Sequence, residues 1–287
     1  MPRSNAHVGV GGWVLTVRDP RHSQSLERGL AILTCFTNER PVLGIKDIAG
    51  LLGMSTSTTH RYVITLVALG YLEQGVDRRY RLGLRVTDLG LSALNSLGLR
   101  DHARGPLEEL RRRSSYTVNL AVLDGPRILY VERARSFRPG QHLIDLGLHL
   151  GSRLPAYCTA MGKVLLAYLP DEELEGEIRA MTLAPRAPNT ITGKHALCNE
   201  LERIREAEGF AVNDQELTEG LYSVAVPVRC GETVVGAINM AAHTSMVSLR
   251  LLVETDGPQL VETANVISAR LGDAREGQLS NGNGRHG

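Results

Sequence analysis

The sequence lacks the residue patterns that define metal-binding, disulfide-bonded and membrane-spanning proteins. None of its four cysteines, Cys35, Cys158, Cys198 and Cys230, belongs to a C-x-x-C pair or has a histidine at a metal-ligand spacing. No apolar run is long enough to cross a bilayer. The apolar stretch 8–17 contains three glycines and precedes no A-x-A cleavage site, so we interpret it as a poorly ordered extension. We therefore expect a globular, cytoplasmic protein with neither a metal ion nor a membrane partner.

Motifs of the common enzyme classes are missing as well. The chain has no G-x-S-x-G, no H-E-x-x-H, no P-loop and no G-x-G-x-x-G followed by a helix. A hydrolase with Cys158 or Ser223 as nucleophile stays open as an alternative, because a histidine base could approach either residue in the fold. The missing motifs favour a protein that is not an enzyme and needs no cofactor.

The charges are present but unevenly distributed. At 287 residues the chain is long for one domain and comfortable for two. The net charge is only +1, yet residues 21–100 carry ten Arg/Lys against six Asp/Glu, and residues 101–287 carry twenty against twenty-four. This asymmetry predicts that a nucleic-acid partner binds the N-terminal part of the chain.

The periodicity of residues 25–82 predicts a winged helix-turn-helix. Apolar residues at helical spacing indicate a helix over 25–36 and a second over 45–52. Gly53 allows a tight turn, and Ser55 can cap a third helix that runs to about residue 69. Two short runs, 71–74 and 79–82, flank a four-residue loop and indicate a hairpin, which is the wing.

A helix that reads DNA in the major groove presents short polar side chains and cations at its N-terminal end. The third predicted helix begins with such residues, and the predicted wing carries arginines suited to phosphate or minor-groove contacts. A solvated amphipathic helix and hairpin is the alternative, but the order of the elements favours DNA. The candidate DNA-binding residues are Ser55, Thr56, Ser57, Thr58, Thr59, His60, Arg61, Arg78, Arg79 and Arg81.

The remaining sequence mixes helical and β patterns. Apolar residues from Val86 to Leu97 form one stripe of a helix that needs a covering partner, and 100–106 is interpreted as a junction. Beyond it we expect an α+β domain with a largely antiparallel sheet. The predicted strands are 118–123, 128–131, 223–229 and 234–240, and the predicted helices are 161–169, 197–208 and 258–271.

Residues 23–271 resemble the IclR family of bacterial transcription regulators. The resemblance lies in 25–33, 48–61, 69–72 and 81–83, which are similar to the family's winged helix-turn-helix. Further segments, 154–167, 213–220 and 223–228, are most similar to regulators of protocatechuate, 4-hydroxybenzoate and β-ketoadipate catabolism.

The resemblance implies a division of the chain and an assembly. It implies a homodimer, and in some members a tetramer, that binds a pseudo-palindromic operator in double-stranded DNA. The expected segments are a disordered extension 1–22, a winged helix-turn-helix 23–84, a linker and dimerisation helix 85–104, a GAF-like effector-binding domain 105–272 and a disordered tail 273–287.

The resemblance also implies a site for a small organic acid. The acid's carboxylate would meet the start of a helix, where backbone amides attract anions. Tyr222 and Ala241 stand where the aromatic-acid regulators often have Arg and Ser, so a regulator of glyoxylate, acetate or other central metabolism stays open. The candidate effector-binding residues are Ala160, Met161, Gly162, Asn213, Asp214, Glu216, Tyr222, Ser223, Asn239 and Ala241.

Overall fold

The chain divides into two compact units, Met1–Ala93 and Leu94–Gly287. A computed structural model describes residues 23–37, 39–96, 98–136 and 147–282. The extension expected at 1–22 and the last five residues of the expected tail lie outside this described part. Each unit has its own buried apolar core. Within the described residues, no helix is both long and apolar enough to cross a membrane.

The first unit has the predicted helix-turn-helix. Its second and third helices are joined at Gly53, which adopts a left-handed conformation (φ +62°) that glycine reaches without strain. Ser55 caps the third helix as predicted, because its hydroxyl accepts a hydrogen bond from the Thr58 amide (3.2 Å). Ile32, Ile48 and Val63, one from each helix, are fully buried together. Its helices are α1 Gln24–Thr34, α2 Ile45–Leu52 and α3 Thr56–Ala68, and α4 Arg85–Ser96 begins in this unit and ends three residues past its boundary.

The predicted wing is a hairpin of β1 (Leu72–Gln74) and β2 (Tyr80–Leu82). The strands are antiparallel, with Leu72 opposite Leu82, and the connecting loop is one residue longer than expected. Leu43 forms a bridge with Tyr80 and is buried, so the segment before α2 packs beside the wing. The wing is therefore held to the helices by backbone hydrogen bonds as well as by apolar contacts.

The junction expected at 100–106 lies inside a helix. α5 runs from Leu99 to Ser114. Gly98, the residue before it, has a left-handed conformation (φ +57°) that interrupts the helical path. Pro106 lies inside this helix and removes one backbone bond, the one to the His102 carbonyl, which instead accepts a bond from Arg270 (3.5 Å). The face of α5 formed by Leu99, Ala103, Leu107 and Leu110 is buried in the second unit. The expected boundary after residue 104 thus divides a continuous, packed helix.

The second unit confirms the predicted α+β fold with an antiparallel sheet. Six strands lie in the order β5-β4-β3-β8-β7-β6, and every neighbouring pair is antiparallel. The strands are β3 Thr117–Asp124, β4 Arg127–Ala134, β5 Arg153–Pro155, β6 Ala211–Asp214, β7 Leu221–Cys230 and β8 Thr233–His243.

Helices cover both faces of this sheet. The side chains of one face join a core with α6 and α8, and those of the other face join a core with α5 and α10. Because alternate residues of a strand point to opposite faces, each long strand contributes to both cores. The helices are α6 Ala160–Ala167, α7 Asp171–Ala180, α8 Lys194–Glu206, a single turn α9 Leu249–Leu251 and, after a π-helical turn Leu252–Asp256, α10 Gly257–Gly282.

Part of the segment expected to be a disordered tail is helical and belongs to α10. It continues to Gly282, ten residues past the end expected at Gly272. The segment 273–276, Asp-Ala-Arg-Glu, contains good helix formers, so a single glycine at 272 does not end the helix.

The Ser55 cap gives a first testable prediction. Ser55→Ala removes the acceptor of the Thr58 amide and should lower the free energy of unfolding by about 1 kcal/mol. Ser92→Ala is the control, because Ser92 is exposed on α4 and its loss should change stability by less than about 0.5 kcal/mol. Urea unfolding followed by circular dichroism measures both. Equal losses in the two variants would contradict the capping role.

Candidate nucleic-acid interface and effector cavity

The exposed side of α3 carries most of the predicted DNA-reading residues. Thr56, Ser57, His60 and Arg61 are exposed, and Thr58 is half-buried. Thr59 is an exception, because it has no exposed surface and its hydroxyl donates to the Ser55 carbonyl (3.0 Å). The expectation that Thr59 faces DNA is therefore wrong.

Helical geometry explains why Thr59 turns inward. It lies four residues before Val63, and residues at this spacing share a helix face. Val63 and Leu66 are part of the core of the first unit. The Ser55 hydroxyl is also engaged, since it caps α3 and bonds to the Thr58 hydroxyl (2.8 Å). The outward polar surface of α3 is consequently narrower than the sequence suggested.

The three wing arginines have different surroundings. Arg79 forms an ion pair with Asp47 (3.2 Å) and donates to the Val42 carbonyl, so it ties the wing to α2. Arg81 pairs across the hairpin with Glu73 (2.9 Å). Arg78 lies in the exposed loop with φ +59°, and the described residues include no carboxylate in ion-pair contact with it. Arg78 is thus the wing cation best placed for a phosphate.

A cavity of about 100 Å³ opens on one face of the second unit's sheet. Four of the predicted effector residues line it, namely Asn213, Ser223, Asn239 and Ala241. Strand register explains their proximity. Thr117, Ala241, Ser223 and Asn213 lie directly opposite one another across β3, β8, β7 and β6 and form one row. Side chains in such a row point to the same face of the sheet.

The neighbouring row contains the cation of the cavity. Arg133, Asn119 and Asn239 are opposite one another on β4, β3 and β8, and all three line the cavity. Arg133 Nε donates to Asn119 Oδ1 (3.0 Å), and Asn119 Nδ2 donates to Asn239 Oδ1 (2.8 Å). The Arg133 guanidinium also lies 5.6 Å from the centre of the Tyr130 ring. Sequence reasoning found only Asn239 of this row.

The start of α6 approaches the cavity through a different residue than expected. Thr159, the helix N-cap, lines the cavity, whereas Ala160, Met161 and Gly162 are buried and do not. The Gly162 amide already donates to the Thr159 hydroxyl (3.1 Å). A Cβ at position 162 would lie 2.2 Å from the Ala156 carbonyl oxygen, so this glycine permits a close backbone approach.

Three other predicted effector residues lie outside the cavity lining. Tyr222 packs against the core on the opposite face of the sheet, because it alternates with Ser223 along β7. Asp214 accepts a bond from Gln215 (3.1 Å). Glu216 is buried and forms an ion pair with Lys163 of α6 (2.5 Å). Asp214 and Glu216 thus contact other protein groups rather than the cavity, and the 213–217 loop is bound to α6 through Glu216.

The Lys163 ammonium is a buried anchor. It is 1% exposed and donates to Glu216, to Glu200 of α8 (2.9 Å) and to the Val212 carbonyl (2.8 Å). Burial raises the pKa of Glu216, and the Lys163 charge partly offsets that rise. The Asn213 amide reinforces the contact by donating to the Cys158 carbonyl (2.7 Å). Together these bonds fix the loop against the start of α6.

The hydrolase alternative finds little support. Cys158 has no exposed surface, and burial raises the pKa of its thiol to about 11, so the reactive thiolate is not formed at neutral pH. Ser223 shares the cavity with His243, but the described residues include no hydrogen bond from the Ser223 hydroxyl to a histidine, and His243 Nδ1 lies 2.8 Å from the Ser245 hydroxyl. The described residues contain no group of three or more His, Cys, Asp or Glu side chains that could hold a metal ion.

A winged helix-turn-helix followed by a domain with a cavity of mixed polar and apolar lining defines a DNA-binding regulator that responds to a small molecule. Family profiles agree with this class. The IclR helix-turn-helix domain matches residues 25–75, and the bacterial transcriptional regulator IclR C-terminal domain matches residues 91–269. The chain belongs to the IclR family of transcription regulators.

Individual relatives cover most of the chain. The HTH-type transcriptional regulator XynR of Escherichia coli is 36% identical over 226 residues, which are 78% of this chain and 88% of XynR. The Pca regulon regulatory protein of Pseudomonas putida is 34% identical over 254 residues, 88% of this chain and 86% of that protein. The crystal structure of an IclR homologue from Microbacterium hydrocarbonoxydans, complexed with 4-hydroxybenzoate, has 28% identity and a TM-score of 0.76, and the match covers 86% of this chain and 98% of the homologue.

The tight packing of Gly162 gives a second prediction. Gly162→Ala should lower the free energy of unfolding by about 1–3 kcal/mol, because the added methyl group meets backbone atoms of Ala156. Gly176→Ala on the exposed helix α7 is the matched control. No atom lies within 4 Å of its added Cβ, so alanine there should stabilise by up to about 1 kcal/mol. Urea unfolding measures both variants. A loss of stability in Gly176→Ala together with an unchanged stability of Gly162→Ala would refute this account.

Proposed function

We propose that this protein binds a pseudo-palindromic operator in double-stranded DNA as a cytoplasmic homodimer, or as a tetramer of two dimers. A small carboxylate in the second unit modulates this binding. The effector is an aromatic acid or a β-ketoadipate-type catabolite. The observation that carries the proposal is a cavity whose lining places the Arg133 guanidinium beside the polar side chains of Asn119, Ser223 and Asn239.

The DNA-binding part of the proposal rests on α3 and the wing. Ser57 and Arg61 lie four residues apart on the exposed side of α3, as do Thr56 and His60. Hydroxyl groups can bond either strand's base edges, and arginine can bond guanine in a bidentate manner. Arg78 in the wing loop adds a phosphate contact. Arg79 and Arg81 contribute through the position of the wing, because both are paired within the protein.

The effector part rests on the two ends of the cavity's polar lining. Arg133 supplies a cation held by Asn119, and Thr159 marks the N-terminal end of α6, where helix amides favour an anion. Tyr130, Leu217 and Leu221 offer an apolar surface for a ring. A cavity that is partly apolar and contains a few polar groups is suited to bind an organic acid. The related Pca regulon regulator and the 4-hydroxybenzoate complex support an acid of this class.

The remaining features of the proposal concern assembly and chemistry. We assign dimerisation to the helix α4, whose apolar stripe includes the exposed Leu89. Two-fold symmetry of such a dimer matches the symmetry of an operator with two half-sites. The protein acts by binding rather than by catalysis, which the buried, protonated Cys158 supports.

The third prediction tests DNA recognition. Arg61→Ala should cost about 1–3 kcal/mol of operator binding and relax sequence preference, whereas Arg78→Ala should mainly reduce the log–log salt slope by about 1. The measurement is a mobility-shift titration on the promoter beside the gene and on random DNA at several salt concentrations.

Arg250→Ala controls for the loss of one positive charge, since Arg250 is an exposed residue of the second unit and pairs only with the nearby Glu254 among the described residues. It should leave both affinity and salt slope unchanged. If the intact protein bound random DNA as tightly as its own promoter at physiological salt, the DNA-binding proposal would be refuted.

The fourth prediction tests the effector class. Protocatechuate, 4-hydroxybenzoate or β-ketoadipate should raise the melting temperature, since a ligand at a hundredfold excess over Kd stabilises by about 2.7 kcal/mol. Arg133→Met should weaken that binding tenfold or more, because a hydrogen bond to a charged group contributes about 1.5–3 kcal/mol. Arg127→Met, on the same strand but exposed outside the cavity, is the control and should keep the shift. Stabilisation by pyruvate and glyoxylate alone would show that the effector class is wrong.

A further inference from the structure

A partly buried ion pair joins α5 to the strand that carries the cavity's cation. Arg100 Nε lies 2.9 Å from Glu132 Oε2, and the Glu132 side chain is only 10% exposed. Arg100 is the second residue of α5. A positive charge in the first turn of a helix is electrostatically unfavourable, so the stability of α5 alone does not explain an arginine here. The ion pair is better explained by a role in connecting α5 to the sheet.

The same carboxylate also contacts the backbone of the cavity residue. Glu132 Oε1 accepts a hydrogen bond from the Arg133 amide (3.0 Å). One carboxylate thus bridges the Arg100 guanidinium on one face of the sheet and the backbone of Arg133, whose side chain enters the cavity on the other face. Any rotation of the Arg133 backbone changes the position of the carboxylate that Arg100 binds.

We infer that Arg100 and Glu132 form a positioning pair that holds Arg133 for the effector and transmits occupancy of the cavity to α5. The inference rests on the proposed function. An anion at the Arg133 guanidinium competes with Asn119 for its hydrogen bonds and favours a different arrangement of this strand segment. Arg100 lies four residues after the end of α4, with Gly98 between the two helices, so a change at α5 reaches the chain that leads to the DNA-binding unit.

Uncharged variants of the pair test the inference. Glu132→Gln is isosteric and Arg100→Gln is shorter, but both keep a hydrogen-bonding group and remove the ion pair. The readout is the ratio of operator Kd with and without saturating 4-hydroxybenzoate, which is the coupling between the two sites. Melting temperatures report separately on folding. Arg112→Gln on the same helix, which breaks the exposed pair with Glu109, is the control.

The expected result is a selective loss of coupling. In the wild type and in Arg112→Gln the ratio should be about fivefold or more, and in both test variants it should approach one. The double variant should lose no more than either single variant, because the two residues act as one unit. Lower melting temperatures with an unchanged ratio would overturn the inference and leave the pair a purely structural contact.

A ligand-free arm separates this inference from the proposed function. Arg133→Gln should change operator Kd in the wild-type background and leave it unchanged in the Arg100→Gln background. Equal changes in the two backgrounds, or no change in either, would overturn the positioning role. If neither 4-hydroxybenzoate nor any other acid of the thermal-shift panel binds the wild type, the effector proposal fails, while this arm still decides the role of the pair.

Discussion

One extra residue in β4 decides which side chains reach the cavity. Leu120 and Ala121 of β3 are adjacent, yet they lie opposite Glu132 and Tyr130, so Val131 is a β-bulge. Without the bulge, strict alternation would send Tyr130 and Arg133 to opposite faces of the sheet. With it, both face the cavity, while Val131 joins the opposite core and Glu132 meets α5. The bulge therefore creates both the cation of the cavity and its connection to the other face.

The opposite side of the cavity depends on a buried charge. Removing Lys163 from water is costly, and the cost is offset only because Glu216, Glu200 and a carbonyl all accept from its ammonium group. Those acceptors come from two segments distant from Lys163 in sequence, α8 and residues 212–216, so satisfying one lysine fixes α6, α8 and the 213–217 loop together. Thr159 lines the cavity and is the N-cap of α6, so its position is fixed by the contacts that hold α6. Rigid placement of this kind is what a selective binding site requires.

Sequence periodicity sufficed for elements that bury one face locally. The helix-turn-helix, the wing and the four long strands have strong apolar patterns, and Ser55 and Gly53 fall where local backbone chemistry demands them. Features that depend on distant partners were not predictable. Thr59 is polar yet buried because α3 packs on the core, and α5 continues through Pro106 because its apolar face is covered. Composition alone could predict neither the burial of Thr59 nor the continuation of α5 through Pro106.

The cavity shows why residue-by-residue transfer from relatives is weakest at a binding site. Tyr222 was expected at the site in place of a common arginine, but β7 alternation directs it to the other core. The site still contains a guanidinium, supplied by Arg133 on β4, three strands away from β7 in the sheet order. What a carboxylate requires is a cation at a point in space, and different strands of one sheet can supply it. Small side chains at Ser223 and Ala241 leave that space open, so the absence of an arginine at 222 does not weaken the case for an acidic ligand.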